Sequence, residues 1–352
     1  MRHIGVDLSK RAFTACFLEA DDSHHLVTYS MTPEGLAEFR KQLRSDDRLA
    51  FEVGTNAYFF HDQVHESVAE IVLVSTYQFV VIAKSKKKTD RGDAVLLARF
   101  LKLGYLPQVV MPEGRIRELR HLFTARESLI EIGYQLKNMG HAALARNGIA
   151  VTRAAFATDT GRRRLARLEG LASVDRQVLD MALRQIETVE QEVVELERAI
   201  VRTGQRLPGL KRLLQIRGLG LVAAIGVLSE IGDIARFGSA KQLVSYAGLA
   251  TTVRQSGATD RHGHITRQGR KRLRGFMVEA VLSMIRNPAD CRTPLVDFYQ
   301  RKKREKGAGK SICATARKLL TVVYTMLTKG LDYWFLEERL YQKKLRQLAT
   351  AA

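Results

Sequence analysis

Ile4-Gly5-Val6-Asp7 near the start of the chain, and Lys88-Thr89-Asp90-Arg91-Gly92-Asp93-Ala94 further on, decide how the first third of the chain folds. The first is a short apolar run ending on a carboxylate, and Leu49-Ala50-Phe51-Glu52 repeats the pattern. Both read as buried strands with an acid at the C-terminal tip. In the second stretch, Asp90 and Asp93 open a helix that continues through Val95 to Leu101, and at three-residue spacing the two side chains share a face. Two strand-tip acids and two helix acids supply hard oxygen ligands for a pair of divalent cations, Mg2+ or Mn2+, the arrangement used in phosphodiester chemistry. One acid alone carries little, because an Asp at a helix start is commonly a cap or a solvated turn residue. The set of four carries the reading.

Around these acids the pattern is α/β. Ile4 to Asp7, Phe13 to Leu18 and Leu26 to Tyr29 are closely spaced strands with polar breaks, which predicts an antiparallel meander. Thr32-Pro33 caps and starts a helix through Leu36, Phe39 and Leu43. The strand ending at Glu52, a helix from Tyr58 to Ala69 and the strand Ile71 to Val74 follow. Three strands, helix, strand, helix, strand is the ribonuclease-H-like order. This unit is assigned to residues 1–110.

Residues 111–205 change character. Leu119, Leu122, Leu129, Ile132, Leu136, Met139 and Ala143 predict a helix of roughly 30 residues. A second helix carries Leu171, Val174, Val178 and Met181, then Ile186, Val189, Val193, Leu196 and Ile200, a heptad-like seam with one break in register. An intramolecular hairpin and a dimer-forming coiled coil both fit. The crowd of glutamates (Glu187, Glu190, Glu192, Glu195, Glu197) favours the dimer, since such a face repels nucleic acid and suits a protein partner. Gly161-Arg162-Arg163-Arg164 reads as a basic loop between the helices.

Residues 206–352 form a mostly helical third unit. Leu213 to Ala224, with Gly218 and Gly220 in its turn, has the helix-hairpin-helix pattern, whose glycines let backbone N–H groups approach a phosphate. Arg217 stands beside that turn. Gln255-Ser256-Gly257 precedes a run dense in cations: Arg261, Arg267, Arg270, Lys271, Arg272 and Arg274. With Arg254 and with Lys86, Lys87 and Lys88, these are the candidate nucleic-acid contacts. His262 and His264 lack partner ligands at metal-binding spacing and read as phosphate contacts or solvated residues. Gly307-Ala308-Gly309-Lys310-Ser311 resembles the end of a P-loop, but Arg304 stands where the first glycine belongs, so it reads as a basic loop before a helix from Ile312 to Leu327.

Composition names the partner. Lys and Arg number 57 against 37 Asp and Glu, a net charge of +20, which points to a large polyanion, most simply nucleic acid. No basic amphipathic terminal helix, lipidation motif or signal-peptide pattern is evident, and the longest apolar stretch, Leu219 to Leu228, is too short to span a bilayer. Cys16, Cys291 and Cys313 form neither a disulfide framework nor a ligand set. A cytoplasmic protein without membrane attachment is expected.

Taken together, Gly5-Val6-Asp7, Glu52, Lys88 to Ala94, Leu228 to Ile234, Phe237, Ser239-Ala240, Tyr246-Ala247-Gly248-Leu249, Gln255-Ser256-Gly257, Gly269, Leu273-Arg274 and Arg317 to Leu320 resemble insertion-sequence transposase family one hundred and ten. The resemblance covers nearly the whole chain. It implies a RuvC-type DEDD domain followed by a serine-bearing transposase domain, with Asp7, Glu52, Asp90 and Asp93 as the metal-binding tetrad and Ser256 as nucleophile. It also implies DNA as donor and target, a structured guide (bridge) RNA, a homo-oligomer (dimer or tetramer), a nucleoid-associated bacterial setting, and a serine of one protomer working beside the carboxylates of another. Ala250 departs from the pattern, where a proline is frequent. Ser245 is the rival nucleophile, read as a buried hydroxyl within an apolar helix. Two other functions remain in play: a junction resolvase that uses water as nucleophile, and a non-catalytic nucleic-acid scaffold.

Overall fold

The computed structural model describes residues 1–75, 89–112, 114–256, 259–286 and 293–350, with backbone alone at 253–256 and 259–262. It divides into two compact units, Met1–Pro112 and Glu113–Ala352.

The first unit is a five-stranded sheet in the order β3-β2-β1-β4-β5, from β1 (His3–Leu8), β2 (Ala12–Leu18), β3 (His24–Ser30), β4 (Arg48–Glu52) and β5 (Glu70–Val74). The meander β1-β2-β3 is antiparallel, while β4 lies parallel to both β1 and β5. Helices α1 (Pro33–Gln42) and α2 (Ala57–Val64) supply the crossovers, and the chain closes on α3 (Asp90–Lys102). Strand alternation sorts the two faces. Ile4, Val6, Phe13, Phe17, Leu49 and Phe51 pack with Leu36 and Phe39 of α1 and Phe60 of α2. There Phe13 meets Phe39 and Phe60 edge-on at 5.1 and 5.0 Å. On the other face, Ala50, Val72 and Val74 pack on Leu97 and Leu101 of α3, and Cys16 and Leu18 pack on Ala94 and Ala98.

The second unit is helical apart from one ribbon. α4 (Gly114–Arg146) leads through α5 (Ala154–Ala157) and α6 (Asp159–Ala166) to α7 (Ser173–Gly204). Then come α8 (Leu210–Leu214), α9 (Leu221–Ile231), α10 (Ala240–Tyr246), the hairpin β6 (Thr251–Ser256) and β7 (Thr259–Ile265), α11 (Lys271–Arg286), α12 (Pro294–Lys306), α13 (Ala308–Lys329) and α14 (Glu338–Thr350).

Several sequence readings change here. The two long helices pack on each other within one chain. Arg126 bonds Glu197 at 2.6 Å, and Glu190 accepts from Lys137 at 3.1 Å and pairs with Arg162 at 2.9 Å. Two of the glutamates expected to face a protein partner therefore bind cations of their own chain. The seam holds at Ile186, Val189 and Ile200, which are buried, but is displaced elsewhere: Leu179, Ala182 and Leu183 are buried, whereas Val174, Met181, Ile132 and Met139 are exposed. At Gly140 a Cβ would lie 2.5 Å from the Phe156 ring, so that glycine lets α5 pack closely on α4, while a Cβ on Gly133 would make only an ordinary contact with Val189 at 3.6 Å. Gly161 to Arg164 belongs to helix α6, capped by Thr158, not to a loop. Arg301 to Arg304 lies within α12, and α13 begins at Ala308 with only Gly307 between (φ 76°).

Candidate active site and nucleic-acid contacts

Gly5 explains where the acids lie. A Cβ there would stand 2.1 Å from the Ala94 carbonyl oxygen and 2.4 Å from the Ala98 nitrogen, so α3 crosses β1 with backbone against backbone. At the far end of α3, Lys102 Nζ donates to the Ala20 carbonyl at 2.9 Å and to Asp22 at 2.7 Å, in the β2–β3 turn. That turn lies at the sheet end where β1 begins, because His3 pairs with Leu18. Helix α3 therefore runs against β1, and its first turn lies over the end where β1 finishes.

The carboxylates gather at that end. Val6 is in register with Phe51, so Asp7 and Glu52 are the next residues of adjacent parallel strands. Each is two residues beyond one that faces α3, Gly5 or Ala50, and so stands on the same face. Asp90 and Asp93 occupy the first turn of α3. Asn56 Nδ2 donates to the Ser9 carbonyl at 3.0 Å, tying the loop after β4 to the loop after β1. Thr89, not either aspartate, is the helix cap, accepting from the Gly92 N–H at 3.1 Å. The capping explanation for Asp90 and Asp93 thus falls away. Asp93 is only 5% exposed, Asp7 and Glu52 are half-buried and Asp90 is exposed. Among the described residues, no three His, Cys, Asp or Glu side chains are drawn tightly enough together to cage a metal. In chemistry the four form an all-oxygen anionic set, which suits Mg2+ or Mn2+.

Ser256 is the last residue of β6 and pairs with Thr259, while Gly257 and Ala258 lie outside the described residues. From Thr251 to Ser256 the strand runs about 17 Å at 3.3 Å per residue, with β7 as its chief neighbour. Near the base of the ribbon, the register shifts between Thr251 and Val253, a bulge that bends the strands. The two strands of the ribbon and its bulge escaped the sequence reading. Ser245, expected to be buried, is exposed on α10.

The expected phosphate contacts separate into three groups. Lys86, Lys87 and Lys88 lie outside the described residues, as do the side chains of Arg254, Arg261 and His262. Arg267, Lys271 and His264 are exposed. The others have partners within the fold. Arg272 donates to Glu230 Oε1 at 2.9 Å and to both carboxylate oxygens of Glu127 at 2.7 and 2.9 Å, and its hydrogen bonds hold the Glu127 carboxyl below its ordinary pKa. Arg270 Nε stands 3.0 Å from Glu230 Oε2, an ion pair outside hydrogen-bond geometry. Arg274 donates to the Ala247 carbonyl at 2.9 Å, and Arg217 to Glu337 at 2.7 Å. Glu230, 2% exposed, is a buried carboxylate whose role the sequence reading lacked: it must be paired, and it binds Arg272 and pairs with the partly exposed Arg270, two of the expected DNA-binding arginines.

The Gly218 turn is also built for packing. Its φ is 93°, and a Cβ would lie 2.4 Å from the Ala280 carbonyl of α11. Gly220 begins α9 in open surroundings. Among the described residues, no helix is long and apolar enough to cross a membrane.

Two family models match the chain. A DEDD transposase model of the IS110 type matches residues 4–147, and a transposase model of the IS116/IS110/IS902 family matches residues 210–295. Among curated relatives, a putative transposase of Sinorhizobium fredii is 27% identical over 79% of this chain and 68% of its own length. A probable family 20 transposase of Pseudomonas aeruginosa is 21% identical over 95% and 98%. A pilin gene-inverting protein of Moraxella bovis is 25% identical over 93% and 96%. The DEDD model covers the unit that carries the four acids, and the second model covers the ribbon that carries Ser256. The chain belongs to the IS110 family of transposases.

Proposed function

We propose that this transposase cleaves and rejoins DNA strands through a covalent serine ester, with divalent metal held by Asp7, Glu52, Asp90 and Asp93. The observation that carries the reading is the gathering of these four acids on one face, at one end, of the β1–β4 sheet. The bound cations, Mg2+ or Mn2+, would offset charge on the phosphate and favour ionisation of an attacking hydroxyl. In the cleavage step Ser256 loses its proton and its Oγ forms a bond to phosphorus, while one ester P–O bond breaks and the departing oxygen takes up a proton. The ester retains the energy of the phosphodiester, so a second hydroxyl can reverse the step and rejoin the strand without ATP. Ribbon cations such as Arg254 and Arg261 offset charge in the transition state.

The 17 Å reach of β6, about five residues at 3.3 Å each, supports a serine that can serve a tetrad on another protomer, and hence a homo-oligomer, dimer or tetramer. A structured guide RNA, as in family members of the bridge-RNA type, completes the reading. Its support is family membership, since the +20 charge fits DNA alone and DNA plus RNA equally well.

A nicked suicide substrate tests the chemistry. Wild-type protein should be trapped on a DNA end, with the link mapped by mass spectrometry to the peptide containing Ser256. Ser256→Ala should bind DNA and give no adduct, and Ser245→Ala should still form one. Undiminished cleavage by Ser256→Ala, with no adduct from wild type, would make water the nucleophile and the protein resolvase-like.

A further inference from the structure

Arg270, Arg272 and Arg274 each have a partner within the fold, whereas a denser set of cations, unpaired among the described residues, stands elsewhere in the second unit. Between Phe298 and Lys318 the chain carries eight cations: Arg301, Lys302, Lys303, Arg304, Lys306, Lys310, Arg317 and Lys318. Against them stands one carboxylate, Glu305, already bound by Lys302 at 2.7 Å. Every residue from Lys303 to Lys310 is exposed, across the end of α12, Gly307 and the start of α13. Among the described residues, Lys303, Arg304, Lys306 and Lys310 make no ion pair. A solvated face normally mixes both signs, and this one does not. Helix-dipole compensation accounts for cations in the last turn of α12, but not for Lys310 in the first turn of α13, where the dipole disfavours it.

The packing shows how the corner is held out. Leu295, Val296 and Tyr299 bury the first half of α12, and Ser311, Thr315, Ala316 and Leu319 bury one face of α13. Lys318 Nζ and Arg301 Cζ lie 4.7 and 5.6 Å from the Phe298 ring, which anchors the inner cations and leaves that ring covered rather than open to a base. Ser311 Oγ donates to the Gly307 carbonyl at 2.7 Å and stiffens the turn.

We propose that this α12–α13 corner is a docking surface for the phosphate backbone of duplex DNA. The inference rests on the DNA-strand-exchange reading for the identity of the polymer. From Lys310 to Arg317 is about 10 Å along the helix, the axial length of roughly three phosphates on one strand. Contacts of this kind bind without reading sequence. The stretch from Lys303 to Lys310 holds no large apolar residue, so it lacks the anchor that an anionic lipid surface would need.

The test uses the full chain, with anisotropy of a labelled mixed-sequence duplex over a series of KCl concentrations. The variant Lys303→Gln/Arg304→Gln/Lys306→Gln/Lys310→Gln should keep the wild-type melting curve and lose about three units of log–log salt slope, at roughly 0.9 per phosphate. Lys303→Arg/Lys306→Arg/Lys310→Arg, which keeps the charge, should bind as wild type does. An unchanged slope in the glutamine variant would overturn the assignment. So would a loss confined to a structured RNA with duplex binding intact. Wild-type protein that ignores duplex DNA altogether would overturn both this surface and the strand-exchange reading, whereas a defect limited to the glutamine variant leaves that reading standing.

Discussion

Asp47 is fully buried, yet it accepts from Arg2 Nε at 3.0 Å, Arg2 Nη2 at 2.7 Å and the Arg44 N–H at 2.8 Å. Removing one half of a buried, hydrogen-bonded pair strands the other charge. Asp47→Ala should therefore cost about 3–5 kcal/mol in urea unfolding. The tetrad should behave in the opposite way. Asp7→Asn, Glu52→Gln, Asp90→Asn and Asp93→Asn should each abolish strand cleavage while leaving the melting temperature and most DNA affinity in place, since each removes an anionic ligand and little packing. Cleavage by two or more of these variants at the wild-type rate would remove the metal-site assignment. At this scale the sequence located the acids near the ends of their elements and was silent on their environment. Asp7 and Glu52 announce themselves by ending apolar runs, whereas the partnership of Glu230 with Arg272, 42 residues away, has no local signature.

The crossing of α3 over β1 depends on one missing Cβ. Gly5→Ala would drive a methyl group into the Ala94 carbonyl and the Ala98 backbone nitrogen, neither of which can rotate aside. It should destabilise the protein by about 1–3 kcal/mol, the usual cost of overpacking, and displace Asp90 and Asp93, so cleavage should fall further than stability does. Chemical denaturation beside a cleavage assay separates the two effects. Element order in the first unit was legible because strand alternation and tight turns are local signals. The hairpin seam was less so. Phe156 packs against Gly140, a contact to which a hydrophobic pattern gives no weight. The β6–β7 ribbon was missed because Thr, Arg, Gln, Ser and His present no apolar alternation.

Across the whole molecule, stability should respond to pH through Lys344. Its ammonium group is 7% exposed, donates to the Leu214 and Ile216 carbonyls at 2.8 Å each, and is pushed by burial from 10.5 down to about 8. Between those two values the unfolded chain binds more protons than the folded one, so this group makes stability rise with pH from about 8 to 10.5. Below 8 its adverse contribution is complete, about 3 kcal/mol. Burial raises the Cys16 thiol to about 11, which acts in the other direction above its ordinary 9.0. The measurement is therefore the difference between wild type and Lys344→Met, which should move in favour of wild type as pH rises through that window. A flat difference would mean that the amine keeps its ordinary affinity for protons. The net charge of +20 was plain from composition, but its distribution was not, because only the fold shows which arginines are bound inside and which face outward.

The β6–β7 ribbon acts as a lever. With Ser256 about 17 Å from Thr251 at 3.3 Å per residue, a tilt of only about 2° at the base moves that end of the strand by roughly 0.6 Å, which under the proposed serine chemistry is already the tolerance of a reacting geometry. Aim is therefore set at the fulcrum. There the Thr266 N–H donates to the Ala250 carbonyl at 2.8 Å and the Arg267 N–H to the Gly248 carbonyl at 3.2 Å. Gly269 passes so close to Tyr246 that a Cβ would lie 2.3 Å from its carbonyl oxygen. The close passage at Gly269 and the backbone bonds of Gly248 and Ala250 thus hold the base of the ribbon, and under the proposed serine chemistry a change there would surface as misdirected cleavage in a protein that still folds.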